Sequence, residues 1–451
     1  MAPPPFPSNP FVGLLVAVII LVVSRPIIGR VASAEAKPWL VRIMTISLVL
    51  HLAAAPAQIY VVDHFYHGIA DWLRYDGQGA SLAPGFRHFN FSLAPGHLGG
   101  IVNDGSVSIA AGIVFVFVGV NKAAAFLVFS WLAFLGTILF FRAFSLTFAG
   151  ADTKRYAYWI FLLPSILFWT ADVSKEAIMM LALGLVAYGA AKFLAHRRGG
   201  FALALVGVTI GFFVRPNELL MIVAGITVAM MVSQAGRYAA VSAGRRILSL
   251  VFFGSVLIVS IYLTLHYLHG SGGTLSLNQV SANNASGGSG GVPYSSNFLY
   301  LPRDIYTVLF DPLPFNFHGL SELIAAGENT VILVLVCSSL RHLRIAPRAA
   351  FARAYVMMCV VYSVAFMYAF AALGNLGLIT RERTLLFPFL LVPLCIPRAP
   401  KGQPPRYEWE LRRQDRRRFR AAMAARAAQA AARGSTGVPP DQPGRRLPAG
   451  G

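Results

Sequence analysis

The chain has 451 residues, of which 56% are apolar and only 12% charged, with a formal net charge of +20. Soluble domains carry roughly 25% charged residues, so this composition argues against a soluble protein. The three cysteines, Cys337, Cys359 and Cys395, each fall inside an apolar run, which argues against disulfides or a cysteine metal site.

Runs of about 20 apolar residues recur, the length needed to cross a bilayer, and they define a polytopic membrane protein. The opening "MAPPPFPSNPF" lacks a basic region, so no cleaved signal peptide is expected. Basic clusters mark the cytoplasmic side: Arg25 to Arg42, Arg142 to Arg155, Lys192 to Arg198, Arg237 to Arg246, Arg341 to Arg353, and the chain after Arg398. Between them spans are predicted near 11–28, 39–61, 122–142, 156–171, 177–192, 201–214, 218–234, 247–267, 323–340, 354–373 and 384–397. That gives an all-α protein of about eleven transmembrane helices with its C-terminus in the cytoplasm. The segment 105–120, "GSVSIAAGIVFVFVGV", has a short apolar core. If it crossed, Arg142, Lys154 and Arg155 would move outside, so it is expected to lie along the outer face as an interfacial helix.

Three regions follow: an extra N-terminal helix and cytoplasmic loop over 1–38, a transmembrane domain over 39–397, and a basic tail over 398–451. The tail reads either as a basic Ala-rich helix against anionic lipid or as a solvated helix, and its Pro/Gly-rich end as disordered. The basic excess is mostly orientation signal and tail, so nucleic acid is not an expected partner. A second outer loop, from about Tyr267 to Glu322, carries a Gly/Ser/Asn linker.

Ionisable groups cluster at the outer ends of spans, where they are costly unless paired or functional. In "YVVDHFYHGIADW", Asp63, His67 and Asp71 fall at i, i+4 and i+8 and would share a helical face, with His64 alongside. Asp63 there suits a general base or a metal ligand; an interfacial aromatic belt beside a solvated acid fits equally well. In "LLPSILFWTADVSKEAIMM", Asp172 or Ser174 caps the next helix and Glu176 sits in its first turn. Lys175 is unfavourable at a helix N-terminus, so it needs an acid or a phosphate. In "FFVRPNELL", Arg215 ends a span on the side that the orientation bias disfavours, and either an anion or Glu218 would pair with it. In "NLGLITRERTLLFPF", Arg381 and Arg383 flank Glu382, and their joint field suits a diphosphate or snorkels to headgroups. No P-loop, dinucleotide glycine pattern, zinc signature or G-x-S-x-G elbow is present.

The order of these blocks, with "PSILFWTADVSKEA", "VRP" and "NLGLITRERTLLFPF" opening or joining spans, resembles the bacterial GT-C-like integral membrane glycosyltransferases over residues 40 to 397. That broad group contains the protein mannosyltransferases and lipid A sugar transferases. The resemblance implies a catalytic acid on the first outer loop, carried here by Asp63. Its neighbour is His64, where the family often has a second acid. It also implies a second outer acid at Asp172 or Glu176, and arginines holding a lipid phosphate at Arg215, Arg381 and Arg383. His64, His67 and Lys175 would complete the substrate site.

The expectation is a bacterial plasma-membrane glycosyltransferase. It would transfer a sugar from a polyprenyl-phosphate donor to an envelope glycan, lipid or protein, with a divalent cation at Asp63 if one is used. The alternatives are a polysaccharide polymerase or ligase acting on lipid-diphosphate-linked glycans, and a transporter of such glycans. A transporter would be expected to carry charged groups deep in its spans, where His51 is the main exception to an otherwise apolar interior.

Overall fold

The computed structural model describes residues 9–65, 70–91, 101–195, 197–232, 298–313, 315, 320–371 and 376–397, with scattered positions between 247 and 258. All belong to one compact unit, Met1–Pro397. His67, most of the expected span 247–267, most of the second outer loop and the basic tail lie outside the described residues.

Every described element is helical. In chain order these are α1 (Pro10–Ala34), α2 (Trp39–Phe65), α3 (Trp72–Arg87), α4 (Asp104–Val118), α5 (Lys122–Thr147), α6 (Lys154–Leu162), α7 (Pro164–Phe168), α8 (Lys175–Leu194), α9 (Gly200–Val214) and α10 (Pro216–Val232). After a 3₁₀ turn come α11 (Leu301–Phe310), α12 (Leu320–Ser338), α13 (Leu340–Leu343), α14 (Ala346–Ala352), α15 (Ala354–Ala371) and α16 (Leu376–Glu382). A second 3₁₀ turn, Arg383–Leu385, leads to α17 (Phe387–Leu394).

Among the described residues, five helices are long and apolar enough to cross a membrane: α1, α2 to His64, α5, α8 and α15. The apolar helices α4, α9, α10 and the stretch Ala326–Ser338 are shorter. The expected span 156–171 is not one helix. Leu163 takes an extended backbone because Pro164 follows it, and the chain restarts as α7. Likewise the expected span 384–397 contains the eight-residue helix α17.

The core is α5 against α8, with α9 on the far side of α8 and α2 and α1 against α5. Small residues let backbones touch. A Cβ at Gly136 would lie 2.4 Å from the Met180 carbonyl oxygen, and one at Gly184 would lie 2.7 Å from the Gly136 carbonyl oxygen. Aromatic rings fill the remainder, with Phe144 stacked on Tyr156 and Phe140 edge-on to Phe389.

Polar ties set the register of the first helix. The Asn121 side chain caps α5 by accepting from Ala124 N at 3.0 Å, and it donates to the Asn9 carbonyl at 2.9 Å. Trp131 Nε1 donates to Ser24 Oγ at 2.9 Å.

The helix expected over 105–120 forms as α4 and packs along α3. A Cβ at Gly79 of α3 would stand 2.8 Å from Ala111 Cβ and 2.9 Å from Gly112 N. Arg87 Nη2 donates to the Phe115 carbonyl at 2.9 Å, tying the end of α3 to the last turn of α4. The loop before α4 joins α9, since Asn103 N donates to the Phe213 carbonyl at 2.8 Å. The α3–α4 pair therefore sits beside the ends of α8 and α9, where the charged residues gather.

The α5–α8 contact leaves no space for a side chain at Gly136. Gly136→Val will destabilise the protein by roughly 1–3 kcal/mol through overpacking. Gly29→Ala, at a position with nothing within 4 Å, will not. Denaturant unfolding in detergent of the two variants checks this; equal midpoints would mean the helices part easily.

Candidate functional site

The site begins where α7 ends and α8 starts. Pro164 breaks the preceding helix, and Trp169 to Val173 turn the chain. Ser174 then caps α8, its Oγ accepting from Ala177 N at 3.4 Å. Glu176 follows in the first turn of α8 and is fully buried. A carboxylate at a helix N-terminus gains from the helix dipole, yet burial demands far stronger partners than that.

Two arginines supply them. Arg215 Nη2 donates to Glu176 Oε1 at 2.7 Å, and Arg381 Nη2 donates to Glu176 Oε2 at 2.8 Å. Arg215 lies between α9 and α10, where Pro216 breaks the helical run. It donates also to Glu218 Oε1 at 2.6 Å and to Glu382. Three carboxylates therefore surround one guanidinium. The sequence left Glu218 or an anion as partner for Arg215; Glu218 is one of the three.

Arg381 differs, because one side of it faces outward. Its Nη1 donates to Asp71 Oδ2 at 3.0 Å, and the Asp71 side chain is 62% exposed. Burial alone would lower the Arg381 pKa, but Glu176 and Asp172 more than reverse that and raise it.

Around this core lies a second ring. Lys175 pairs with Asp104 at 2.7 Å, which is what relieves a lysine at a helix N-terminus. Asp104 also accepts from the Tyr75 hydroxyl at 2.9 Å and pairs with Arg74. Burial pushes the Asp172 carboxyl up to about 6, with Arg381 opposing and Glu176 reinforcing the shift. One Asp172 oxygen has no hydrogen-bond partner among the described residues.

Asp63 and His64 stand apart from this network. Asp63 and Asp71 do not share one helix: Ala70 is not helical, and Asp71 stands at the start of the next helix, α3; His67 lies outside the described residues. Asp63 is half-exposed and pairs with Lys122 at 3.6 Å. His64 stacks on Tyr60, and its Nδ1 donates to the Tyr60 carbonyl at 3.0 Å, so it turns back on its own helix.

Arg381 and Arg383 also diverge. The Arg383 side chain is fully buried and meets Glu328 at 3.6 Å. Glu328 in turn accepts from Ser165 N at 2.7 Å and from Ser165 Oγ. Burial lowers Arg383 to about 10, with Glu328 opposing. The two arginines face different carboxylates, so they do not build one shared anion site.

Sequence reasoning passed over Asp76, Asp104, Arg74, Lys122 and Glu328. Asp76 had a readable signal. Trp72, Tyr75, Asp76, Gly79 and Ala83 line the buried face of α3 at helical spacing, so one acid sits on an otherwise non-ionic stripe.

Among the described residues, no group of three His, Cys, Asp or Glu is placed to hold a metal ion. Asp63, the expected site of a divalent cation if one is used, has Lys122 Nζ 3.6 Å away. No family model, curated protein or solved structure matches this chain.

Removing Arg215 strands buried carboxylates. Arg215→Ala will cost roughly 3–5 kcal/mol. Arg74→Ala, whose side chain is 55% exposed, will cost roughly 0–1 kcal/mol. Unfolding midpoints of the purified variants test this, and parity between them would mean that the cluster is not what holds α8, α9 and α16 together.

Proposed function

We propose that this chain is a GT-C-type membrane glycosyltransferase. It would move a sugar from a polyprenyl-phosphate donor to an envelope glycan, lipid or protein on the outer face of the bacterial plasma membrane. The reading takes about eleven crossings, α4 along the outer face, and a cytoplasmic C-terminus.

The observation that carries it is the two-sided setting of Arg381. One side grips buried Glu176 at 2.8 Å, and the other holds exposed Asp71 at 3.0 Å. A phosphate oxygen is a better partner for a guanidinium fork than a solvated carboxylate, so a donor phosphate would displace Asp71. Glu176 and Glu218 fix Arg215 behind it, which leaves Arg381 as the phosphate contact.

In the reaction, the acceptor hydroxyl oxygen bonds to the sugar's anomeric carbon as the bond from that carbon to the phosphate oxygen breaks. The phosphate leaves with the electron pair, and Arg381 stabilises the charge that develops on it. Asp172 takes the hydroxyl proton. Its raised pKa, near 6, makes it a stronger base than an exposed aspartate while it stays largely ionised at neutral pH. Asp63 has no part in this scheme; it holds the end of α2 to Lys122.

The test supplies purified protein with radiolabelled polyprenyl-phosphate sugars and a membrane glycan extract. Transfer by the wild type should fall by about 10²-fold or more in Asp172→Asn with donor binding retained. It should fall together with donor binding in Arg381→Ala, and persist in Asp63→Asn. If the wild type transfers no single sugar but binds a lipid-diphosphate glycan, the polymerase or ligase reading replaces this one.

A further inference from the structure

The far end of α8 carries cations with no acid to answer them. Lys192 lies in the last turn of α8, about 24 Å along the helix from Glu176 at 1.5 Å rise per residue. Its Nζ stands 5.6 Å from the centroid of the Tyr188 ring, one turn back. Arg142, near the end of the adjacent α5, meets the same ring, with Cζ 4.7 Å from the centroid. A ring face attracts a cation but accepts none of its edge-on N–H donors. Among the described residues neither Arg142 nor Lys192 has a hydrogen-bond or ion-pair partner, and Arg142 Nε is buried in that state.

Helix ends do not account for Lys192. The last turn of α8 favours a cation, but the first turn of α9 opposes one. Gly199 opens α9 with no side-chain cap, and a Cβ placed on Gly199 would lie 3.6 Å from Lys192 Nζ. Arg197 and Arg198 in the turn between are exposed and add two further positive charges. The acids near this end of α5 are committed elsewhere. Glu35 accepts from Ser145 Oγ, Asp152 accepts from Lys154 N at 3.0 Å, and both charges act on Lys37.

An anion with several oxygens would complete this arrangement, and its setting names the source. With 20 residues, α8 is about 30 Å long, enough to cross the hydrocarbon core and bring its last turn to the headgroups. From that point α9 presents Leu205, Val206 and Phe213 exposed, a surface suited to acyl chains.

We propose that Arg142, Tyr188 and Lys192 form a binding site for the phosphate of one anionic lipid headgroup, with Arg197 and Arg198 at its rim and the acyl chains along α9. The phosphate oxygens take the charge-assisted N–H donors that the ring leaves unused. On the topology proposed above this end faces the cytoplasm, where anionic headgroups meet basic clusters. The lipid pins α5 to the α8–α9 turn, at the end of the bundle remote from Glu176. The site does not depend on the transferase reading, and its failure would leave that reading untouched.

The test uses full-length protein in neutral detergent and native mass spectrometry, with phosphatidylglycerol, phosphatidylcholine and inorganic phosphate as probes. Wild type should retain one phosphatidylglycerol about tenfold or more tightly than phosphatidylcholine. Arg142→Gln with Lys192→Gln should remove that preference, and Arg197→Gln with Arg198→Gln should weaken it. Arg344→Gln with Arg348→Gln, at exposed positions beside and within α14, removes the same charge elsewhere and should leave the preference unchanged. Equal retention of the two lipids by wild type would overturn the proposal. An equal loss in all three paired variants would overturn it too, because net charge alone would then govern retention. Displacement of the lipid by excess inorganic phosphate would overturn the lipid as occupant in favour of a free anion. If the Arg142 and Lys192 variant fails to fold, the wild-type comparison and the Arg197 and Arg198 variant decide.

Discussion

A single carboxylate organises this end of the molecule. Glu176 is fully buried at the start of α8, and two guanidiniums from distant parts of the chain close on its two oxygens. Neither arginine could stay at this depth without an acid, nor could the acid stay ionised without them. Because Arg215 comes from the α9–α10 junction and Arg381 from α16, the pairing fixes three elements at once. The apolar interior behind them offers packing but little directional preference, so the charges decide how the helix ends meet.

The same interaction divides the arginines by role. Arg215, held by Glu176, Glu218 and Glu382, has its donors spent inside the protein. Arg383 faces Glu328 in a separate buried setting that also engages the Ser165 backbone. Of these three arginines, Arg381 combines a buried anchor with an exposed partner. A site that binds an anion needs that asymmetry: one contact to hold the cation in place and one that a ligand can replace. The α3–α4 pair meets this cluster through Asp71, which pairs with Arg381, and Asp104, which pairs with Lys175.

Much of this was legible in the chain. Long apolar runs announced the helices, and the parity of the basic clusters singled out 105–120, which forms the separate helix α4. Acids and arginines at helix ends pointed to Glu176, Arg215 and Arg381, which do meet, and to Lys175, which pairs with Asp104. Spacing misled for Asp63 and Asp71, since the chain is not helical at Ala70 and Asp71 opens α3. It misled also at Arg381 and Arg383, since residues two apart on one turn point in different directions. Asp76 was passed over although it is the one acid on the stripe of Trp72, Tyr75, Gly79 and Ala83, a fainter signal than a charged cluster at a helix end. Pro164 was visible, but its power to split 156–171 depended on the chain having somewhere else to go, namely toward Glu328.

The tie at Asn121 bears on how the protein is made. Asn121 reaches Asn9 across 112 residues, and Trp131 reaches Ser24 across 107. During synthesis α1 emerges long before either partner exists. Its outward face, with Phe11, Leu14, Val18 and Val22 exposed, needs only lipid to rest against. The first helix would thus enter the bilayer as a loose guest, free to turn and slide. It would take its final register only when α5 arrives to claim it, so biogenesis runs from an uncommitted opening to a late closing of the bundle.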